Sequence, residues 1–315
     1  TPRSSSAASD VYKRQKINIA VISGGNSEER LVSIRTGEAV AEACNQLGYN
    51  TSIFVLDSDS IDFILNDLKA HDFVFIALHG SFGEDGVIQS ILTKNNIPFN
   101  GSGEKSSRNC FDKSVTKEIV MNQGVLSPKY YQTSSNTCND HLDFKSEKYV
   151  VKPNSQGSSV GFNVIDNFEN LNDAIDKALD FDNSVLIEEF IDGREITVPI
   201  LGNEPLPVIE IEPKSGIYDY KSKYTAGESK YTCPADLTLE KYQFVQDCAL
   251  SVHKMLKCDV YSRVDFKFYD DNFYFLEINT LPGMTETSLF PMAAKRHGFS
   301  FKDIINKIIK LSLQK

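Results

Sequence analysis

The stretch Arg263-Val264-Asp265-Phe266-Lys267-Phe268-Tyr269, followed by Asp270-Asp271-Asn272 and then Phe273-Tyr274-Phe275-Leu276-Glu277-Ile278-Asn279, anchors the reading of the whole chain. Both arms alternate with a period of two, as half-buried strands do, and the segment between them is rich in turn-forming residues. Alternation places Arg263 and Asp265 on one face of the first strand, and Glu277 and Asn279 on one face of the second. A three-residue turn at Asp270 to Asn272 sets Asp265 opposite Glu277 and Arg263 opposite Asn279, so that all four share a face. Two acids held opposite each other repel unless a cation lies between them. Magnesium suits such a place: it takes hard oxygen ligands from one or two carboxylates and from substrate phosphates, and an asparagine oxygen can join them. The plainer alternative is a solvated polar face on an edge hairpin. Against it stand Arg263 and Asn279 on the same face, and the turn Thr280-Leu281-Pro282-Gly283-Met284-Thr285 immediately after, which can present backbone N–H groups.

Upstream, an apolar strand (Ile17 to Ile22) leads through Gly24-Gly25 into a helix in which Val32, Ala39, Ala43 and Leu47 recur at helical spacing until Gly48. A strand (Thr51 to Leu56), a helix around Asp62 to Lys69 and a strand (Phe73 to Leu78) complete a β-α-β-α-β alternation, which implies a parallel, doubly wound sheet. The composition shifts near Gly101-Ser102-Gly103. Beyond it come a helix (Asp112 to Asn122) and the strands Tyr149 to Lys152 and Val160 to Val164. A helix (Leu171 to Leu179) and a strand (Val185 to Phe190) follow. From Glu195 the chain has strands through Ile200 and from Pro207 to Ile211, then a polar stretch without period between Pro213 and Pro234. After that come a long helix (Leu239 to Leu256), the hairpin, and an amphipathic helix (Phe301 to Leu313). The fold class expected is α/β with α+β elements. Its expected units are 16–110, 111–193 and 194–315, with a lid at 213–234 and a disordered or non-native tail at 1–15.

Val150-Val151-Lys152-Pro153 reads as a strand ending in a lysine, and Asn154-Ser155-Gln156-Gly157-Ser158-Ser159-Val160-Gly161 as a turn whose N–H and hydroxyl groups can fold over a polyphosphate. In isolation such a stretch is more often an ordinary turn. The spacing of a P-loop is missing, and Gly24-Gly25 lacks the full dinucleotide fingerprint. Lys113, at the head of a helix, is either a second phosphate lysine or a plain surface lysine. Glu188 and Glu189 end a strand where an adenine could meet backbone groups and a carboxylate, with Glu195 close behind.

A net charge of −10 disfavours nucleic acid and anionic membrane as partners, so any phosphate site has to be local. The six cysteines show neither a metal-ligand spacing nor a disulfide framework, which suits reduced thiols in the cytoplasm. No apolar run is long enough to span a bilayer, and a soluble protein is expected.

Taken in order, several strings resemble the ATP-grasp superfamily and, within it, the D-alanine:D-alanine ligases: Ser23-Gly24-Gly25 with Glu29-Arg30, Ala77-Leu78-His79-Gly80 with Gly83-Glu84-Asp85-Gly86, Lys152-Pro153, Gly157 to Gly161, Tyr218-Asp219-Tyr220 with Lys223-Tyr224, Cys233-Pro234-Ala235, Arg263-Val264-Asp265, and Glu277 to Thr285. The resemblance runs from about Ile17 to the C-terminus. It implies an ATP-grasp fold with an N-terminal Rossmann-like domain. The implied reaction joins two D-alanine molecules through an acyl phosphate, for peptidoglycan precursor synthesis. ATP is the implied nucleotide, with two magnesium ions for which manganese can substitute, and a homodimer is expected.

By motif, Lys113 and Lys152 resemble the family's phosphate lysines, and Glu188, Ile191 and Glu195 its adenine and ribose contacts. Asp265, Glu277 and Asn279 match its metal ligands. Glu29 corresponds to the carboxylate that takes the first substrate's ammonium, in a network with Ser158 and Tyr224; capping the first helix is its alternative role. Arg263 and the N–H of Gly283 resemble the oxyanion hole. Lys223, Ser288 and the N–H of Leu289 match contacts to the second substrate's carboxylate or the transferred phosphate. His79 resembles a site histidine, or is simply a buried structural one. Depsipeptide-forming relatives differ at the position of Tyr224, so a tyrosine there favours D-alanine as nucleophile. The chain departs from the pattern at Leu31, Ser155-Gln156 and Glu189, where family members often carry charged residues, an acid at the first and a lysine at the last. A D-alanine:D-lactate or D-alanine:D-serine ligase is the alternative enzyme, and a nonenzymatic ATP-grasp binding domain the alternative of another class.

Overall fold

The computed structural model describes residues 17–135, 142–225 and 227–315, so the tail expected at 1–15 lies outside the described residues. The chain opens with β1 (Asn18–Gly24), α1 (Arg30–Gln46), β2 (Asn50–Leu56), α2 (Leu65–Lys69), β3 (Phe73–Ile76) and α3 (Val87–Lys94). The three strands form the expected parallel sheet in the order β2-β1-β3. β1 and β3 are almost wholly buried, as strands covered on both faces must be. Gly37 lets α1 lie close on this sheet, because a Cβ there would come within 2.7 Å of the Ser23 Cβ.

A second group comprises α4 (Glu104–Phe111), α5 (Lys113–Met121), β4 (Tyr130–Thr133), β5 (Tyr149–Pro153), β6 (Asn163–Ile165), α6 (Leu171–Leu179) and β7 (Val185–Glu189). Its strands make an antiparallel sheet in the order β4-β7-β5-β6. The Asp112 carboxylate caps α5 by accepting the N–H of Val115. A strand expected from Val160 instead starts at Asn163. Ser158, Ser159 and Gly161 sit at φ of 52°, 58° and 68°, so the loop curls where a strand would have to extend.

The remainder holds β8 (Arg194–Leu201), β9 (Glu204–Pro205), β10 (Ile209–Pro213), α7 (Tyr220–Tyr224), β11 (Ser229–Thr232), α8 (Leu239–Met255), β12 (Tyr261–Tyr269), β13 (Asn272–Asn279), α9 (Leu289–His297) and α10 (Phe301–Ser312). The third sheet runs β11-β10-β8-β12-β13, with β9 on β8. The polar stretch 213–234 is therefore not structureless: it carries α7, with Asp219 as its cap, and the edge strand β11. Helices α3, α4 and α9 and strand β4 are elements that periodicity does not announce.

Three apolar clusters hold these layers together. One joins the parallel sheet to Met284, Phe290 and the buried isoleucines 304, 305, 308 and 309 of α10, so the last helix packs back against α1. A second lies between α8 and the β8, β12 and β13 faces that carry Val198, Val264, Phe266 and Phe275. The third backs β5 and β7 with α6.

Candidate active site

The hairpin of β12 and β13 turns in two residues, Asp270 and Asp271, not the three expected, with Tyr269 paired to Asn272. Both turn residues have positive φ, 45° and 63°, the geometry of the tight turns that match strand twist. A two-residue turn with unbroken pairing would set Asp265 out of register with Glu277. A bulge prevents this: Phe266 pairs with Phe275 but Asp265 with Glu277, which leaves Leu276 as the extra residue. The bulge also switches faces. Phe273 and Phe275 point into the core, and past Leu276 the buried residue is Ile278, so Glu277 and Asn279 turn to the side of Arg263 and Asp265.

The charges on this face are paired. Arg263 grips Asp265 with two donors at 3.0 and 2.8 Å, and the Thr197 hydroxyl donates to the same carboxylate at 2.5 Å. Glu277 faces Lys113 at 3.5 Å. Burial alone would raise the Glu277 carboxyl, but Lys113, Lys223, Lys152 and Arg263 overcome it and bring the group down to about 2. The Asn279 side-chain oxygen accepts the N–H of Leu281. Two opposed carboxylates, Glu277 firmly ionised, with an amide oxygen beside them form a hard-oxygen donor set that fits a divalent cation. Among the described residues no group of three or more His, Cys, Asp or Glu could hold a metal, so the remaining ligands would have to come from elsewhere, as phosphate oxygens or water.

Two cavities meet at this hairpin. The first lies between the second and third sheets and is lined by Lys113, Lys152, Glu188, Ile191, Glu195, Lys223, Asp265 and Glu277. Lys152 pairs with Glu188 at 2.9 Å, and Lys267 with Glu195 at 3.0 Å. Lys267 is legible by alternation, two residues past Asp265, but no motif singles it out. Lys113 is buried and donates to the Gln156 carbonyl at 2.6 Å, which ties it to the Gly/Ser loop and removes the surface-lysine alternative.

The second cavity, about 570 Å³, is lined by Glu29, His79, Glu84, Ser158, Tyr224, Arg263, Gly283, Ser288 and Leu289, and it shares Lys113, Lys223 and Glu277 with the first. Glu29 is buried at the head of α1, yet its side chain makes no capping bond; its Oε1 accepts instead from the Tyr224 hydroxyl at 2.7 Å. That hydroxyl also lies 2.5 Å from the Ser158 hydroxyl, so residues from α1, the Gly/Ser loop and α7 close into one network. Gly157 makes room for it, since a Cβ there would sit 2.6 Å from Glu29 Oε2. Gly283 is similarly confined, since a Cβ there would come within 3.0 Å of the Ser288 hydroxyl. Leu289 opens α9, where first-turn N–H groups have no intrahelical partner.

His79 is buried against the Thr36 hydroxyl at 3.2 Å, and burial lowers its ring toward the neutral form. Glu84 belongs to the Gly83-Glu84-Asp85-Gly86 string, but the motif alone assigns it no role. It is buried 2.7 Å from the Gly80 N–H, and burial together with nearby Glu29 pushes its carboxyl up to about 8.

A cleft lined by Lys113, Lys152 and Lys223 that meets a second cavity at paired carboxylates suits the ATP-dependent carboxylate-amine ligases. The family model for the D-ala D-ala ligase C-terminus matches residues 119–310, and that for the N-terminus matches residues 63–102. The D-alanine–D-alanine ligases of Methylacidiphilum infernorum and Aquifex aeolicus are 44% and 42% identical, over 94% and 93% of this chain and 95% and 100% of their own. Among solved structures, that of the Bacillus anthracis D-alanine–D-alanine ligase complexed with ATP aligns at TM-score 0.81 and 31% identity, covering 95% of this chain and 98% of that one. The VanG D-Ala:D-Ser ligase of Enterococcus faecalis aligns at TM-score 0.80 and 29% identity, over 95% and 100%. The chain belongs to the D-alanine–D-alanine ligase family, and its fold is the ATP-grasp fold of that family.

Proposed function

We propose that this enzyme joins two D-alanine molecules through an acyl phosphate, with ATP as phosphoryl donor, to supply a peptidoglycan precursor. The observation that carries the reading is the junction of the two cavities at Glu277, with Asp265 and Arg263 beside it. A carboxylate bound in the second cavity there meets a phosphate bound in the first.

Lys113 and Lys152 hold the nucleotide phosphates, and Glu188, Ile191 and Glu195 its base and ribose. Asp265, Glu277 and Asn279 would hold divalent cation, magnesium or manganese, whose chemistry is to neutralise the charge that spreads over the phosphates. The first D-alanine sets its ammonium against Glu29, whose orientation Tyr224 and Ser158 fix. Its carboxylate oxygen attacks the terminal phosphorus, ADP leaves, and the amine of the second D-alanine then attacks the acyl carbon and expels phosphate. Arg263 and the N–H of Gly283 meet the oxyanion that forms there. Lys223, Ser288 and the N–H of Leu289 anchor the second carboxylate or the phosphate. Closure of 213–234 excludes water, which would otherwise hydrolyse the acyl phosphate.

Tyr224 at the centre of the network supports an amine nucleophile over a hydroxy acid. Among the described residues, five cysteines are free thiols and no helix is long and apolar enough to cross a membrane, in keeping with a cytoplasmic enzyme. The exposed side chains of Leu31, Ile53 and Val55 around α1 and β2 support the expected homodimer. Phosphate release with magnesium, ATP and D-alanine tests the reaction. It should be brisk with D-alanine and absent with L-alanine, and a preference for D-lactate or D-serine as the second substrate near neutral pH would overturn the dipeptide reading.

A further inference from the structure

Glu188 carries more cations than an acid that merely touches adenine would need. Its Oε2 lies 2.9 Å from Lys152 Nζ and its Oε1 3.1 Å from Lys117 Nζ. The two lysines differ in what they can reach. Lys152 lines the nucleotide cavity, whereas Lys117 does not and is fully buried behind Glu188 on α5. Its ammonium donates to the Ser127 hydroxyl at 2.8 Å, that hydroxyl donates in turn to the Phe275 carbonyl at 2.8 Å, and the Tyr130 ring covers it at 5.9 Å. Ser127 thus ties Lys117 to the strand that carries Glu277.

A buried ammonium is costly, and burial lowers the Lys117 group to about 8 even with Glu188 opposing it. The cost has a use if Lys152 must change partners. In the free protein one carboxylate is shared by two ammoniums. Once a phosphate draws Lys152 away, Glu188 would be a buried, unpaired anion unless a second cation stayed behind.

We propose that Lys117 is a positioning residue, the permanent counter-ion of Glu188, which frees Lys152 to bind the nucleotide phosphates while Glu188 stays ionised and in place for the base. The proposal rests on the nucleotide reading of the first cavity and goes beyond it, since Lys117 touches neither base nor phosphate. Without Lys117, Glu188 would hold Lys152 as its only cation and compete with the phosphates for it.

Magnesium tripolyphosphate, used as an inhibitor competing with ATP, probes the phosphate half of the cleft without the base. Lys117→Met should weaken its inhibition by about tenfold, the worth of one charge-assisted hydrogen bond. Removing the competitor should reverse the loss, so Lys117→Met with Glu188→Gln should return to within about threefold of wild type. A merely structural lysine would not be rescued in this way. The proposal is overturned if Lys117→Met is inhibited like wild type, or if the double variant is no better than the single. Should Lys117→Met not fold, Glu188→Gln alone decides: inhibition as strong as in wild type supports the handover, and a loss of about tenfold contradicts it. A wild-type enzyme that turns over ATP but ignores tripolyphosphate also overturns the handover, whereas one that neither uses ATP nor binds tripolyphosphate overturns the nucleotide reading beneath it.

Discussion

Single side chains carry the charge logic of this site, and the sharpest tests are isosteric. Glu277→Gln keeps the shape and removes the charge that Lys113 now balances. ADP release should fall by more than the roughly 10–100-fold that follows loss of an outer-shell partner, with the melting curve still cooperative; normal turnover would refute the metal assignment. Tyr224→Phe leaves Glu29 without its 2.7 Å donor. The KM for the first D-alanine should rise by about tenfold, with a smaller change in the KM for ATP.

Glu84 gives a pH signature in stability. Its folded carboxyl, at about 8, stands above the ordinary 4.5, so its contribution is fully present below about 4.5 and is lost as pH rises through 8. Glu84→Gln should therefore raise the melting temperature at pH 8.5 relative to wild type and leave it nearly unchanged at pH 4.5. An equal shift at both pH values would show that the carboxyl is not protonated in the fold.

At this scale Asp265, Glu277 and Arg263 were legible, because two acids that alternation sets face to face on neighbouring strands are hard to account for without a cation. Lys117 and Glu84 were not. A lysine inside a helix and a glutamate in a loop look the same in sequence whether solvated or buried, and only the packing of α5 behind β7 and of the 80–86 loop under Glu29 distinguishes them.

Among elements, the β12–β13 hairpin shows where pattern reading falls short. Asn272 is as good a turn former as Asp270 or Asp271, so the turn length was ambiguous. Strict alternation would have put Phe273, Phe275, Glu277 and Asn279 on one face. The conflict between burying two phenylalanines and presenting two polar ligands is resolved by the bulge at Leu276, which sequence periodicity cannot display. Asp271, like its neighbour Asp270, is held in the left-handed region, at φ 63°. Asp271→Gly should relieve about 1 kcal/mol of left-handed strain, against an exposed contact to Lys241 worth less. The melting temperature should rise by a degree or more with turnover unchanged; lost activity would mean that the turn, and not the bulge alone, fixes the register.

At the scale of the molecule, the last helix is bound into the first layer. α10 begins with a capping box between Ser300 and Asp303 and buries Ile304, Ile305, Ile308 and Ile309 in the cluster that also holds β1, β3 and Phe290. Its amphipathic pattern was evident from Phe301 to Leu313, but the surface it covers was not, because a helical stripe says that something is buried and not against what. Ile308→Ala should cost about 3 kcal/mol and lower the midpoint in urea, while KM values at a temperature where the variant is folded stay near wild type. A large change in KM without loss of stability would contradict a purely packing role.

The parallel sheet with α1 supplies Glu29 and His79, the second sheet Lys152 and Glu188, and the third Arg263, Asp265 and Glu277. The proposed function requires them together to transfer phosphate onto a carboxylate at the meeting point of two cavities. D-alanine labelled with 18O in its carboxylate tests this directly. Turnover through an acyl phosphate carries one labelled oxygen into the released inorganic phosphate for each dipeptide made, and phosphate released without label would contradict the assignment.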